Sequence, residues 1–391
     1  MSSHIMPTYG RLAVNFERGK GAWLWDDNDQ RYLDALSGIA VCNLGHAHPA
    51  VHQAICQQSE KLIHTSNLYG IANQEQLADK LCQLSGLDNV FFSNSGAEAN
   101  EAAIKIARRY GHSLGIENPA ILVMEKSFHG RTIATLSATG NPKVQQGFAP
   151  LLEGFIHLPY DDVNAVNTAI AQHQNIVAIL VEPVQGEGGV NIPASDYLNQ
   201  LRQICDQHDL LLMLDEIQTG VGRTGQFLAY QHNAILPDVC TLAKALGNGV
   251  PIGACMARGK AAEMLVAGTH GSTFGGNPLA CSAALAVLET LENENLISQV
   301  EPKAEKIVSG LTQALTNNTH LINIRHYGLM IGIELDIECS DLVQQALQQK
   351  LLINVTYNKT IRLLPPLVIN DEQINFLVEC LSTLINKATD S

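Results

Sequence analysis

Two short apolar runs, each closing on a charged residue, stand out in the hydrophobic pattern of the chain. Leu210-Leu211-Leu212-Met213-Leu214 runs without a polar break into Asp215-Glu216. Such a run, bounded by acids, reads as a strand buried on both faces, as in a parallel sheet. Asp238-Val239-Cys240-Thr241-Leu242-Ala243-Lys244 reads as a second strand that ends in a lysine. The stretch behind it, Ala245 to Gly253, is too rich in Gly and Pro for a helix. An Asp and a Lys leaving neighbouring buried strands would meet at the carboxyl edge of the sheet, where open α/β folds place their ligands. A lysine there can hold pyridoxal phosphate as a Schiff base, and an acid can keep its pyridine nitrogen protonated. On these two residues alone, a salt bridge at the sheet edge explains the pattern equally well.

The rest of the pattern alternates strands with helices. Tyr9 to Asp34 predicts a hairpin turning at Asp26 to Asp29. After Ser37-Gly38-Ile39-Ala40-Val41 comes Gly45-His46-Ala47-His48-Pro49, where no nearby acid or Cys completes a metal site, so a loop before a helix starting near Pro49 is expected. Helical spacing covers Gln74 to Leu84. A strand over Asp88 to Ser93 then runs through Asn94-Ser95-Gly96-Ala97 into a helix reaching Arg109. The free N–H groups of that helix start suit an anion, although such N-termini are common. Further strands are predicted over Ala120 to Met124 and Ile176 to Val181, and a helix over Ser195 to His208. Together these predict an α/β fold around a mostly parallel, doubly wound sheet. Gly271 to Pro278 is a second glycine-rich loop opening an alanine-rich helix to about Asn293, long enough to link two domains. Beyond Pro302 the order of helices and short strands predicts a smaller α+β unit. The expected division is an N-terminal segment 1–48 packing with that smaller unit, a large domain 49–293, and a C-terminal domain 294–391.

Composition narrows the partners. The 391 residues, 46% hydrophobic and 16% charged, suit a globular protein with a large core. A net charge of −14 argues against nucleic acid or an anionic membrane as partner. Nine scattered cysteines without a CxxC pair fit reduced thiols better than disulfides or zinc. With no charged-then-apolar leader and no membrane-length apolar run, a cytoplasmic location is expected.

Taken in order, five motifs are specific as a set: Ser95-Gly96-Ala97-Glu98-Ala99, Phe128-His129-Gly130-Arg131-Thr132, Glu182-Pro183-Val184-Gln185-Gly186-Glu187, Asp215-Glu216-Ile217-Gln218-Thr219-Gly220 and Lys244. Along essentially its whole length the chain resembles the class III (subgroup II) pyridoxal-phosphate aminotransferases, of fold type I, and most closely their acetylornithine branch. The resemblance implies pyridoxal 5'-phosphate as cofactor and no metal. It implies that Lys244 binds the cofactor and then moves the proton, that Asp215 pairs with the ring nitrogen, and that Gln218 bonds the phenolic oxygen. Phe128 is expected to stack on the ring, and Ser95, Gly96 and Ala97 to receive the phosphate. Thr273 is expected to reach the phosphate of a neighbouring subunit, which makes a homodimer the working unit. Arg131 and Arg362 are the implied carboxylate receptors, with Glu187 neutralising Arg362 when no carboxylate is bound. Read alone, each arginine would suit a solvated surface and Glu187 a solvated loop.

For substrate, the resemblance implies transfer of the side-chain amino group of N2-acetylornithine to 2-oxoglutarate. Where ornithine δ-aminotransferases carry an aromatic this chain has Ile39, which favours an acylated donor. Tyr9, Tyr69 and Ser272 are further candidates for the substrate end. Succinylornithine and succinyl-diaminopimelate fit the same motifs. Free ornithine, 4-aminobutyrate and glutamate semialdehyde are weaker alternatives, and an inactive scaffold is opposed by the presence of both Lys244 and Asp215.

Overall fold

The computed structural model describes residues 4–389, so residues 1–3 and 390–391 at the ends of the expected units lie outside it. Near the N-terminus, β1 (Phe16–Lys20), β2 (Trp23–Asp26) and β3 (Arg31–Asp34) form an antiparallel meander. The turn expected at Asp26 to Asp29 is present: Asp26 Oδ1 accepts from the N–H of Asn28 at 3.0 Å and of Gln30 at 2.8 Å. A hairpin not foreseen as such precedes it, turning at Gly21 with φ +56°.

The central sheet contains β4 (Asn89–Ser93), β5 (Ala120–Met124), β6 (Phe155–Leu158), β7 (Ile176–Val181), β8 (Leu211–Asp215), β9 (Val239–Leu242) and β10 (Gly253–Ala257). Its order is β4-β10-β9-β8-β7-β5-β6. All neighbouring pairs are parallel except those made by β10, which runs antiparallel between β4 and β9. The expected mostly parallel sheet is therefore found, with one reversed strand inside it. The sequence Gly-Ala-Cys-Met-Ala of β10 lacks the β-branched and aromatic residues that mark strands, so it reads as loop. Tertiary packing overrides that propensity, and Gly253 allows the close approach: a Cβ there would lie 2.4 Å from the Ser95 carbonyl oxygen.

Both faces of the sheet are covered, as the unbroken apolar runs require. Leu122, Ile179, Leu212 and Leu214 enter one core cluster, while Ile121, Leu180, Leu211 and Met213 enter the other. Truncating one such buried leucine to Ala would cost about 2–5 kcal/mol. The helices start where their caps predict. Ser95 Oγ accepts from Glu98 N–H at 3.2 Å to open Gly96–Ser113. Asn277 Oδ1 accepts from Ala280 N–H at 2.9 Å, with Pro278 in the first turn, to open Pro278–Asn293. The latter helix packs on Pro49–Lys61 and Ala72–Ser85.

The C-terminal strands are β11 (Leu321–Tyr327), β12 (Met330–Leu335), β13 (Leu351–Leu352), β14 (Asn354–Thr356) and β15 (Thr360–Leu363). β11, β12, β15 and β14 form an antiparallel sheet, and β13 pairs in parallel with β3. The N-terminal meander is thus stitched to the C-terminal part of the chain by hydrogen bonds.

Candidate active site

The parallel register of β8 and β9 sets Asp215 opposite Thr241, so Lys244 leaves the sheet at the same edge. Lys244 takes a left-handed backbone conformation, φ +44°, at the start of a short 3-10 turn over Lys244–Leu246. This corrects the sequence reading in detail: the strand stops at Leu242, and a single tight turn follows the lysine. Burial lowers the Lys244 pKa, the charge of Glu187 opposes that, and Arg362 adds to it, leaving the group below its ordinary value. The direction of the shift raises the share of neutral amine, the form that attacks a carbonyl.

Asp215 is 4% exposed, and both of its carboxylate oxygens have hydrogen-bond partners. Its Oδ2 accepts from Asn100 Nδ2 at 2.8 Å and lies 2.8 Å from His129 Nδ1, while Oδ1 accepts from Ile217 N–H at 3.1 Å. Asn100 in turn donates to the His129 carbonyl and accepts from Thr241 Oγ1, both at 2.8 Å. Three elements therefore fix one carboxylate: β8, the helix Gly96–Ser113 and the loop after β5. A second buried acid, Glu182, follows β7 and accepts from the Phe128 N–H at 3.1 Å. Burial, reinforced by the nearby Asp215, holds its pKa well above the ordinary carboxylate range.

These groups surround a cavity of about 370 Å³. The structure brings Ser95, Gly96, Ala97, Phe128, Arg131, Glu187, Asp215, Gln218 and Lys244 into its lining, from five separate stretches of sequence. The Arg131 guanidinium lies 5.6 Å from the Phe128 ring centre. Arg362 is fully buried on β15, its Nη1 donating to Glu187 Oε1 at 2.7 Å and its Nη2 to Asn354 Oδ1 at 2.9 Å. Gly186 is needed where it stands, because a Cβ there would lie 2.0 Å from Gln218 Oε1.

Other expected residues fall outside the lining. Tyr9 is 76% and Tyr69 68% exposed. Thr273 is exposed on its loop, and Ser272 Oγ accepts from Asn94 Nδ2 at 3.2 Å beside the cavity. The histidine pair also differs from its local reading. His46 does meet an acid, Asp34, at 2.7 Å, supplied by β3 rather than by its own loop. His48 faces Glu294 instead, and among the described residues no group of three or more His, Cys, Asp or Glu is placed to hold a metal. The helix after them does begin at Pro49.

Asn100, His129, Glu182 and Asn354 have no role assigned in the sequence reading. Asn100 carried a signal, since an asparagine is a poor helix former and stands here in an alanine-rich helix interior. His129 and Glu182 lie inside quoted motifs, but only the fold shows what they face.

The donor set fits pyridoxal phosphate. A buried amine of lowered pKa suits its aldehyde, an acid held by two side chains suits its ring nitrogen, and a helix N-terminus with Gly96 and Ala97 at the cavity suits its phosphate.

With that geometry in hand, three kinds of comparison agree. A family profile described as aminotransferase class-III matches residues 5–385. The acetylornithine aminotransferase of Nitrosomonas europaea is 56% identical over 383 residues, 98% of each chain. The ornithine aminotransferase of Toxoplasma gondii, in a structure reported with partial occupancy of PLP at the active site, superposes with a TM-score of 0.95 at 35% identity, covering 99% of this chain and 92% of that one. The N-acetylornithine aminotransferase of Stenotrophomonas maltophilia superposes with a TM-score of 0.85 at 35% identity, covering 97% of both chains.

Proposed function

The chain belongs to the class-III aminotransferases, and from that premise we propose that it moves the side-chain amino group of N2-acetylornithine to 2-oxoglutarate, an arginine-biosynthetic step. Pyridoxal 5'-phosphate is the cofactor; when bound it supplies an aldehyde that takes up the amino group and a ring that accepts electrons from the reacting carbon. Lys244 would hold it through the side-chain amine and, as a free amine, would carry at Nζ the proton that moves from the substrate's reacting carbon to the cofactor carbon. Asp215 would face the ring nitrogen and hold the proton there, and Asn100 and His129 hold the Asp215 carboxylate in place. The N–H groups of Gly96 and Ala97, with Ser95, bind the phosphate. Phe128 covers the ring, and Gln218 bonds the phenolic oxygen.

The observation that carries the choice of reaction is the ion pair between Arg362, buried behind the cavity wall, and Glu187, which lines the cavity. Acetylornithine has no carboxylate beside the reacting carbon, so an arginine aimed there must be neutralised while that donor is bound. Glutamate and 2-oxoglutarate do have one and can take the place of Glu187. Arg131 holds the carboxylate that both substrates carry further out. The 56% identity over nearly the whole length to the acetylornithine aminotransferase of Nitrosomonas europaea supports the acylated donor.

The same reading assigns a homodimer, with Thr273 reaching the partner's phosphate; it is supported by the exposed apolar Leu68, Tyr69 and Phe274 beside that loop. It keeps the division into 1–48, 49–293 and 294–391, supported by the β3–β13 pairing. It also keeps the cytoplasmic location, and no helix among the described residues is long and apolar enough to cross a membrane. The test is to assay acetylornithine, succinylornithine, ornithine, 4-aminobutyrate and succinyl-diaminopimelate side by side. Acetylornithine should give the highest kcat/KM, and a preference for free ornithine or 4-aminobutyrate would overturn the assignment.

A further inference from the structure

Arg223 is buried without measurable exposure, yet among the described residues no carboxylate bonds to it. Its Nη1 donates to the carbonyl oxygens of Leu329, at 3.0 Å, and Pro365. Its Nη2 donates to Asn43 Oδ1 and, at 3.3 Å, to Ser37 Oγ. Its own carbonyl accepts from the Leu329 N–H at 3.0 Å. Burial pushes its pKa down to about 9 despite the charge of Asp34, so holding a cation here is costly. A neutral residue would fill the space at lower cost, which points to a task that the planar fork of donors performs.

That task is visible in what the fork joins. Ser37, Gly38, Ile39 and Ala40 have φ of +47°, +64°, +66° and +58°. Three of these four are not glycine, and such a run persists only where surrounding contacts over-determine it. Ser37 supplies contacts of that kind: its N–H donates to Asp34 Oδ1 at 2.8 Å and its Oγ to the Leu364 carbonyl at 2.6 Å. The loop ends in Val41, which lines the cavity. Leu364 and Pro365 follow directly on β15, whose Arg362 pairs with Glu187. One guanidinium therefore spans the strained loop and the backbone just beyond the buried arginine.

We propose that Arg223 is a positioning residue for the amino donor, holding the 37–41 loop and the 362–365 segment in one frame and so setting the width of the cavity's substrate end. This rests on the aminotransferase reading, and deepens it by assigning donor selection to a residue that does not line the cavity.

The test compares the wild-type holoenzyme with Arg223→Lys, which keeps the charge and loses the fork, and with Ser37→Ala, which removes one partner of the fork together with the Ser37–Leu364 hydrogen bond. Thermal melting and cofactor absorbance are measured alongside steady-state kinetics. Arg223→Lys should raise KM for acetylornithine roughly tenfold and narrow the preference for acetylornithine over ornithine, with kcat changed by less than about threefold. Ser37→Ala should move KM and preference in the same direction by about threefold. Cofactor absorbance should stay unchanged in both. A lowered melting temperature with unchanged KM and unchanged donor preference would overturn the proposal, leaving Arg223 a purely structural residue. If Arg223→Lys does not fold, Asn43→Ala, which takes an oxygen from the fork and leaves the Ser37–Leu364 hydrogen bond intact, decides by the same criteria. A wild type that prefers another donor would refute the substrate assignment separately, and the Arg223 inference is then decided on the KM for that donor.

Discussion

Glu187→Gln isolates the charge that masks Arg362 while changing shape least. The guanidinium is fully buried, and its Nε has no hydrogen-bond partner among the described residues. Removing one member of a buried ion pair costs about 3–5 kcal/mol, because the other charge stays behind. Here the Glu187 side chain is 35% exposed, and Asn354 and Gln218 still accept from Arg362 at 2.9 and 3.4 Å. Solvent screening and those two acceptors reduce the expected cost to about 1–3 kcal/mol, which corresponds to roughly 5- to 150-fold. The loss should fall on the half-reaction with acetylornithine, where nothing replaces the missing carboxylate. The half-reaction with glutamate or 2-oxoglutarate should be unchanged or improved, since the incoming carboxylate no longer competes with Glu187. Arg362→Ala should show the mirror image, slowing the glutamate half-reaction by about 100-fold, for ~3 kcal/mol of charge-assisted binding, and sparing the other. Single-turnover absorbance changes on each half-reaction measure both effects. If either variant damages the two halves equally, the pair is not a switch and its role is structural.

Lys244→Ala should abolish turnover and the absorbance of lysine-bound cofactor while leaving noncovalent cofactor binding; multiple turnover in the variant would show the lysine misassigned. Asp215→Asn should slow proton transfer by ~10³-fold, about 4 kcal/mol, and near-normal rates would refute its contact with the ring. Thr273→Ala should weaken cofactor retention and, in the wild type, excess cofactor should stabilise the dimer by mass action; equal cofactor affinity in both proteins would count against a contact across subunits. Burial alone would lower the pKa of His46, but the hydrogen bond and charge of Asp34, with Cys42, outweigh it and raise the imidazole from 6.5 to about 9. The stabilisation from a raised pKa is complete below the unfolded value and lost as pH rises through the folded one, so about 3 kcal/mol should disappear between pH 6.5 and about 9. Melting curves across that window should show the decline in wild type and a flattened one in Asp34→Asn.

By itself the sequence determined the buried strands and the chemistry they carry. Unbroken apolar runs such as Leu211–Asp215 and Ile176–Val181 can satisfy their burial only inside a sheet covered on both faces, so their place and the edge at which Asp215 and Lys244 emerge were legible from local pattern. The helix starts at Pro49, Gly96 and Pro278 were legible for a similar reason, because caps and prolines act within one turn. What only the tertiary structure decided depends on contacts between distant residues. The reversed strand β10 has no propensity of its own and exists because β4 and β9 flank it. Asn100 and His129 meet Asp215 across 115 and 86 residues, and Arg362 meets Glu187 across 175. Arg223 finds its oxygens up to 186 residues away, in the N-terminal loop and beyond β15. Strand and cap signals are carried by neighbours in sequence, whereas the fate of a buried charge is set by whichever groups the completed fold brings within about 3 Å of it.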